Sequence, residues 1–272
     1  MPVPSILMLL LLLLILLWIF AVRCRRGNAV LAQLRPYRYA HRGLHNEIRP
    51  ENSLAAFRAA VEAGYGAELD VHLSADGRLV VMHDDTTERL CGERYPIEQT
   101  DWATLQTLRL GGTEEKIPLL SQVLPLFQKA TPLIIELKTV GGNAAALCEE
   151  IFKLLDHYSG VYCIESFDPR VLLWLRKNRP QVCRGQLAAW FSRGEGGLPF
   201  ALRFILSRLL ENFLTTPDFI AYDHNSRKKC VSLNICRGVW GVQEVSWTIR
   251  SPEAMKDMEQ RGNLIIFERF QP

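Results

Sequence analysis

Residues 40–85 gather six side chains able to bind a cation, hold an anion or move a proton: His41, Arg42, Glu51, Glu68, Asp70 and His83. Between them run two apolar β-type stretches and one helix pattern, so the polar groups fall at the ends and edges of regular elements. Glu68 and Asp70 alternate with Leu69 and Val71, which puts both carboxylates on one face of a strand. That arrangement is costly unless they share a cation. Further along, the apolar run Leu133-Ile134-Ile135 ends in Glu136 and Lys138. Three carboxylates form an oxygen-ligand set for a hard divalent cation such as Mg²⁺ or Ca²⁺, which keeps water or substrate oxygens in its other positions. Arg42 and Lys138 suit an anionic oxygen, the first as a fork and the second as a point charge. His41 and His83 titrate ordinarily near about 6.5 and serve proton transfer. Together these parts describe metal-assisted phosphoester hydrolysis.

The elements that must position them follow from the hydrophobic pattern. Strands are predicted at residues 38–41, 67–73 and 79–82, with a helix between the first two that starts at Pro50-Glu51-Asn52-Ser53, capped by Asn52 or Ser53, and stops at Gly64. Residues 89–117 read as an excursion over the strand ends with one short helix at 101–108. Helices at 119–129, 144–158, 169–177 and 252–260 then alternate with strands at 133–135, 161–164, 182–188, 219–222, 243–247 and 264–267. Strands apolar on both faces and alternating with helices predict a parallel sheet covered by helices. A count near eight, with polar residues at strand C-termini, favours a closed (β/α)₈ TIM barrel over an open doubly wound sheet. No G-x-G-x-x-G follows the first strand, which weakens a dinucleotide-binding alternative. Residues 198–214 place Arg203, Ser207, Arg208 and Glu211 on one helical face and a wide apolar arc elsewhere. The default expectation is a barrel-covering helix, and the sharper one is a helix that dips into a bilayer interface.

Before the barrel, residues 3–22 carry no charge and are long enough, at about 1.5 Å per residue, to cross about 30 Å of hydrocarbon. A cleaved signal peptide is the rival, but no basic stretch precedes the apolar run and no small-residue cleavage site follows it. The expected organisation is therefore a single transmembrane helix at 3–22, a basic linker at 23–37 and one barrel domain at 38–272. Arg23, Arg25 and Arg26 flank the span and place the barrel on the cytoplasmic side. Seven cysteines without a C-x-x-C pair agree, reading as small buried hydrophobes in a reducing compartment. A net charge of +3 offers no case for nucleic acid. Oligomeric state is not legible.

The ordered set His41-Arg42-Gly43, Pro50-Glu51-Asn52-Ser53, Glu68-Leu69-Asp70-Val71, His83-Asp84 and Glu136-Leu137-Lys138 resembles the signature of the glycerophosphodiester phosphodiesterase family. The resemblance spans nearly all of residues 38–270. It implies a TIM barrel with a small insertion after His83, metal ligation by Glu68, Asp70 and Glu136, an acid/base pair in His41 and His83, and a phosphate clamp of Arg42 and Lys138. Ser166-Phe167 and Trp247-Thr248 match family positions near the pocket, so Trp247 is expected to contact substrate. The implied activity is divalent-metal-dependent hydrolysis of glycerophosphodiesters or lysophospholipid-like diesters, at a membrane, to a phosphomonoester and an alcohol. One departure stands out: where the family commonly closes its last strand with G-I-[IV]-T-D-x-P, this chain has Phe267 for Thr and Glu268 for Asp. The expected consequence is altered recognition of the alcohol part, with the metal and histidine sets untouched.

Two other readings of these residues fit less well. Glycoside hydrolysis by a carboxylate pair leaves Arg42, Lys138 and both histidines without a role. A catalytically silent, membrane-tethered binding or scaffold barrel would have lost a ligand or a histidine, and none is lost. Glu51 is either a helix-entry acid or a support for the site. His45, His72, His157 and His224 read as surface or structural, with His45 near enough to the first loop to reach substrate.

Overall fold

Strands buried on both faces close into a barrel in the computed structural model, which describes residues 3–192 and 198–272. The N-terminal helix α1 (Val3–Ala21) and a short α2 (Val30–Leu34) precede β1 (Tyr39–His41), α3 (Leu54–Glu62), β2 (Gly66–Leu73) and β3 (Leu79–Val81). Two small helices, α4 (Glu88–Cys91) and α5 (Trp102–Leu105), lead to α6 (Leu120–Phe127) and β4 (Leu133–Leu137). Alternation then continues with α7 (Ala144–Leu155), β5 (Tyr162–Ser166), α8 (Pro169–Asn178), β6 (Arg184–Ala188), α9 (Phe200–Ser207), α10 (Asn212–Thr215) and β7 (Phe219–Asp223). The chain ends with α11 (Val231–Gly238), β8 (Gln243–Ile249), α12 (Pro252–Gln260) and β9 (Leu264–Phe267). Parallel neighbours run β1-β2-β4-β5-β6-β7-β8-β9, and β9 pairs back onto β1. The result is a TIM barrel, as the alternation predicts.

One predicted strand has a different place. β3 is no barrel stave; it pairs antiparallel with the end of β2, Val71 opposite Val81, and stands outside the closed ring. Val80 of this strand and Met82, Ile97, Leu105, Leu108, Leu110 and Ile117 of the segment after it pack into a small core of their own. This is the expected insertion, with its helix shortened to Trp102–Leu105. The start of α3 is capped by Ser53, whose side chain accepts from the Ala56 amide. Asn52 is therefore free for another task, and its positive φ of 57°, which asparagine tolerates, turns it inward. Helix α11 is an addition to the predicted elements; it buries Ser232, Leu233 and Cys236.

Residues 23–37 do not dangle. Arg25 forks onto Asp218 at 2.6 and 2.5 Å, its backbone amide reaches Pro217 O, and Arg26 bonds the carbonyls of Val239 and Trp240. Leu31 and Leu34 of α2 then enter the barrel base beside Tyr39, Ile134 and Cys163. Val22 and Cys24 are buried as well, so Cys24 has the setting of an unmodified thiol. Because Asp218 is wholly buried, Arg25→Ala removes its forked partner and leaves only the Arg184 amide donating to it, so a loss of about 2–3 kcal/mol is expected. Thermal unfolding of the detergent-solubilised chain, read as a lowered Tm against wild type, measures it.

Candidate active site

Strand register brings the carboxylates together. Asp70 on β2 lies opposite Glu136 on β4, and His41 on β1 lies opposite Glu68 on β2. Oxygens of Glu68, Asp70 and Glu136 all lie within 4.8 Å of one another, and all three residues are buried. Lys138 bridges two of them, with Nζ at 3.2 Å from Asp70 and 2.9 Å from Glu136. Arg42 Nε stands 3.5 Å from Asp70, while its backbone amide donates to Glu68 at 3.1 Å. Asn52 donates to Asp70 at 2.9 Å.

These charges act unequally. Burial, then the neighbouring Asp70, Glu136 and Glu165, pushes the Glu68 carboxyl well above its ordinary range. Glu136 is pushed up to about 7, chiefly by burial, against the opposing pull of Lys138. Burial would raise Asp70 too, yet Lys138, His83, Arg42 and the Asn52 bond hold it well below the usual range. The cluster thus holds more buried carboxyl than its two cations neutralise, and the buried Asn52 Oδ1 has no hydrogen-bond partner. A dication bound by all-oxygen donors fits that imbalance.

Both histidines are oriented through Nδ1. His41 Nδ1 meets Glu268 Oε2 at 2.6 Å, and His83 Nδ1 meets Asp84 Oδ1 at 2.7 Å. An ionised carboxylate only accepts, so each ring donates its Nδ1–H and leaves Nε2 for proton exchange. His41 Nε2 lies 3.9 Å from Glu68. Burial lowers the pKa of both rings, with the bond to Glu268 working the other way for His41. Glu268 itself is held well below the carboxylate range; burial opposes this, but the bonds from His41 and Arg250 and the nearby His45 ring prevail. Asp84 joins Arg89 at 2.6 Å, Arg89 joins Glu51 at 2.7 Å, and Glu51 joins Arg42 at 2.8 Å. Glu51 therefore supports the site.

The altered end of the last strand acts differently from the expectation. Phe267 points into the outer core against Tyr65 and Phe270, at centroid distances of 5.0 and 5.7 Å. Glu268 touches His41, so the departure bears on the histidine set. The sequence offered Glu268 as a substitution, but its partner becomes visible only where β9 closes against β1. Asp84 could have been found by its place beside His83. His72 is structural as expected, bonded to Glu98 at 2.6 Å, whereas His45 stands 3.8 Å from Glu268 within the cluster.

Beside Glu136 and Lys138 opens a cavity of about 720 Å³, walled on its far side by Phe167, Phe191, Leu198, Leu202 and Leu206. Phe167 packs edge-on against Trp247 at 5.7 Å, which extends the aromatic wall. The Trp247 Nε1 is buried without a hydrogen-bond partner.

A closed parallel barrel with charged groups gathered at one rim defines an enzyme of the TIM-barrel class. Residues 41–267 match the glycerophosphoryl diester phosphodiesterase family, and the chain belongs to it, which makes it a phosphoric diester hydrolase. The chain is 33% identical to YhdW of Bacillus subtilis over 83% of its own length and 91% of that protein. It is 29% identical to glycerophosphodiester phosphodiesterase 1 of Bos taurus, over 78% of this chain and 71% of the other. A shorter match, 30% identical over 44% of this chain and 41% of its partner, is to a lysophospholipase D of Homo sapiens. Among solved structures, an Oleispira antarctica phosphodiesterase in complex with the product sn-glycerol-3-phosphate shares the fold at a TM-score of 0.72, with 22% identity over 90% of this chain and 95% of that one.

Proposed function

We propose that this chain is a membrane-anchored phosphodiesterase that hydrolyses glycerophosphodiesters or lysophospholipid-like diesters to a phosphomonoester and an alcohol. The observation that carries the reading is the rim itself: three buried carboxylates within 4.8 Å, two cations against them and two carboxylate-oriented histidines. Glu68, Asp70 and Glu136 are the residues that would hold a divalent cation, Mg²⁺ or Ca²⁺, which when bound supplies Lewis-acid stabilisation of a phosphoryl oxygen. Arg42 and Lys138 bind the remaining phosphate oxygens and stabilise the charge that builds on them. One histidine takes a proton at Nε2 from the nucleophile; the other returns one from Nε2 to the leaving oxygen. Trp247 and Phe167 form the apolar wall against which the alcohol part lies and from which water is excluded.

Helix α1 has an 18-residue stretch of mean hydropathy 2.8, long and apolar enough to cross a membrane. We read it as the anchor, with the barrel on the cytoplasmic side, supported by the flanking arginines and by seven free cysteines. Turnover of glycerophosphocholine and of a lysophospholipid by the full chain, with and without chelator, tests the function. Release of phosphomonoester that stops with chelator and returns with the dication is expected; metal-independent turnover, or none in folded protein, overturns it.

A further inference from the structure

Helix α9 is turned inside out. Phe200 is 73% exposed, Leu202 46% and Phe204 42%, with Ile205 also on the surface, while the one buried residue of the helix is the polar Ser207. Ser207 is held there by specific bonds: its hydroxyl accepts from the Phe191 amide at 3.0 Å and its carbonyl accepts from Tyr222 Oη at 3.0 Å. Tyr222 lies near the C-terminal end of β7, so these bonds seat α9 on the catalytic rim. Leu202 and Leu206 line the cavity that also holds Glu136 and Lys138. The predicted continuous helix breaks after Ser207, where Leu209 takes a positive φ of 58° and is buried. The apolar arc therefore faces outward and the expectation of a barrel-covering helix is not met.

The direction of α1 says what this face meets. Trp18 Nε1 donates to Ser232 Oγ at the start of α11, Cys236 Sγ donates to Val22 O further along it, and the Arg25 amide donates to Pro217 O just before β7. Barrel helices return from the catalytic rim to the base, so α1 descends beside α11 in the same sense. Its N-terminal part must then project away from the barrel on the side of the catalytic rim. A span that meets the barrel on its rim side holds the rim against the interfacial layer. Trp18 sits at that level with its indole N–H satisfied, as interfacial tryptophans do, and Arg208 stacks on Phe204 with its centre 4.1 Å from the ring.

We propose that the exposed face of α9, around Phe200 and Phe204, inserts into the phospholipid bilayer crossed by α1, so that the catalytic cavity opens onto the membrane surface and takes its diester from the lipid phase. The inference rests on α1 being a span and deepens the proposed function by naming a lipid-borne substrate. The partner is the bilayer itself; a second copy of this chain is an outcome of the test.

The test uses the full chain in phosphatidylcholine–phosphatidylglycerol vesicles, with the photoreactive residue p-benzoylphenylalanine placed at 200 or 204, or at 129 on the barrel base as control. Lipid adducts at 200 and 204 and none at 129 are expected. No lipid adduct at either α9 position, or a crosslink to another copy instead, overturns the proposal. Crosslinking needs no turnover, so it stands apart from the failure of the enzymatic reading; release of the chain by alkaline extraction would overturn the span and the docking together. A second measurement compares F200E/F204E with wild type on a vesicle-borne lysophospholipid and on water-soluble glycerophosphocholine. Turnover of the first is expected to fall about tenfold or more relative to the second; an unchanged ratio overturns the proposal.

Discussion

Asp70→Asn is expected to lower kcat/KM by about a thousandfold, since a Lewis-acid contact contributes several kcal/mol and each 1.36 kcal/mol is a factor of ten. Asp70 is the member of the triad most firmly ionised, with Lys138, Arg42 and Asn52 all directed at it. Asparagine keeps the shape and an accepting oxygen but removes the charge. Steady-state turnover of a glycerophosphodiester together with calorimetric titration of Mg²⁺ and Ca²⁺ reads both consequences: weakened cation binding and lost rate. Activity within about tenfold of wild type would place the chemistry away from this triad.

His41→Gln is expected to cost about a thousandfold in kcat, within the range for a proton-transfer group, and Glu268→Gln about a hundredfold. The glutamate variant carries a signature that simple misfolding does not. Burial lowers the His41 pKa and the bond to Glu268 raises it, so removing the carboxylate charge lets the pKa fall further. The limb of the kcat/KM profile governed by His41 then moves to lower pH, whether the ring works as acid or as base. The limb governed by His83, whose partner is Asp84, stays in place. A pH profile of Glu268→Gln with both limbs unmoved would separate Glu268 from the reacting histidine and leave it a structural acceptor for Arg250.

Much of the site was legible because its chemistry is written locally. A period of two puts Glu68 and Asp70 on one face whatever the strand's neighbours are, and the apolar run before Glu136 ends where a parallel strand must end. Alternating elements and the family signature were enough for the barrel. β3 was misplaced because an apolar strand run reads the same whether it joins the ring or folds back on β2. The segment at 23–37 looked like a free linker because composition does not reveal that Arg25 has a buried partner nearly two hundred positions away at Asp218.

The residue types at the rim, the strand periodicity and the length of the apolar N-terminal helix are properties of the sequence alone, since each depends only on near neighbours along the chain. Tertiary structure decided the rest. Closure of β9 onto β1 delivers Glu268 to His41, and register sets Asp70 beside Glu136, because strand pairing is settled by packing across the whole barrel. Helix α9 shows the limit most clearly. An amphipathic pattern says that one face is apolar but not which way it looks; here two hydrogen bonds to Ser207 turn the polar side inward and leave the phenylalanines outside.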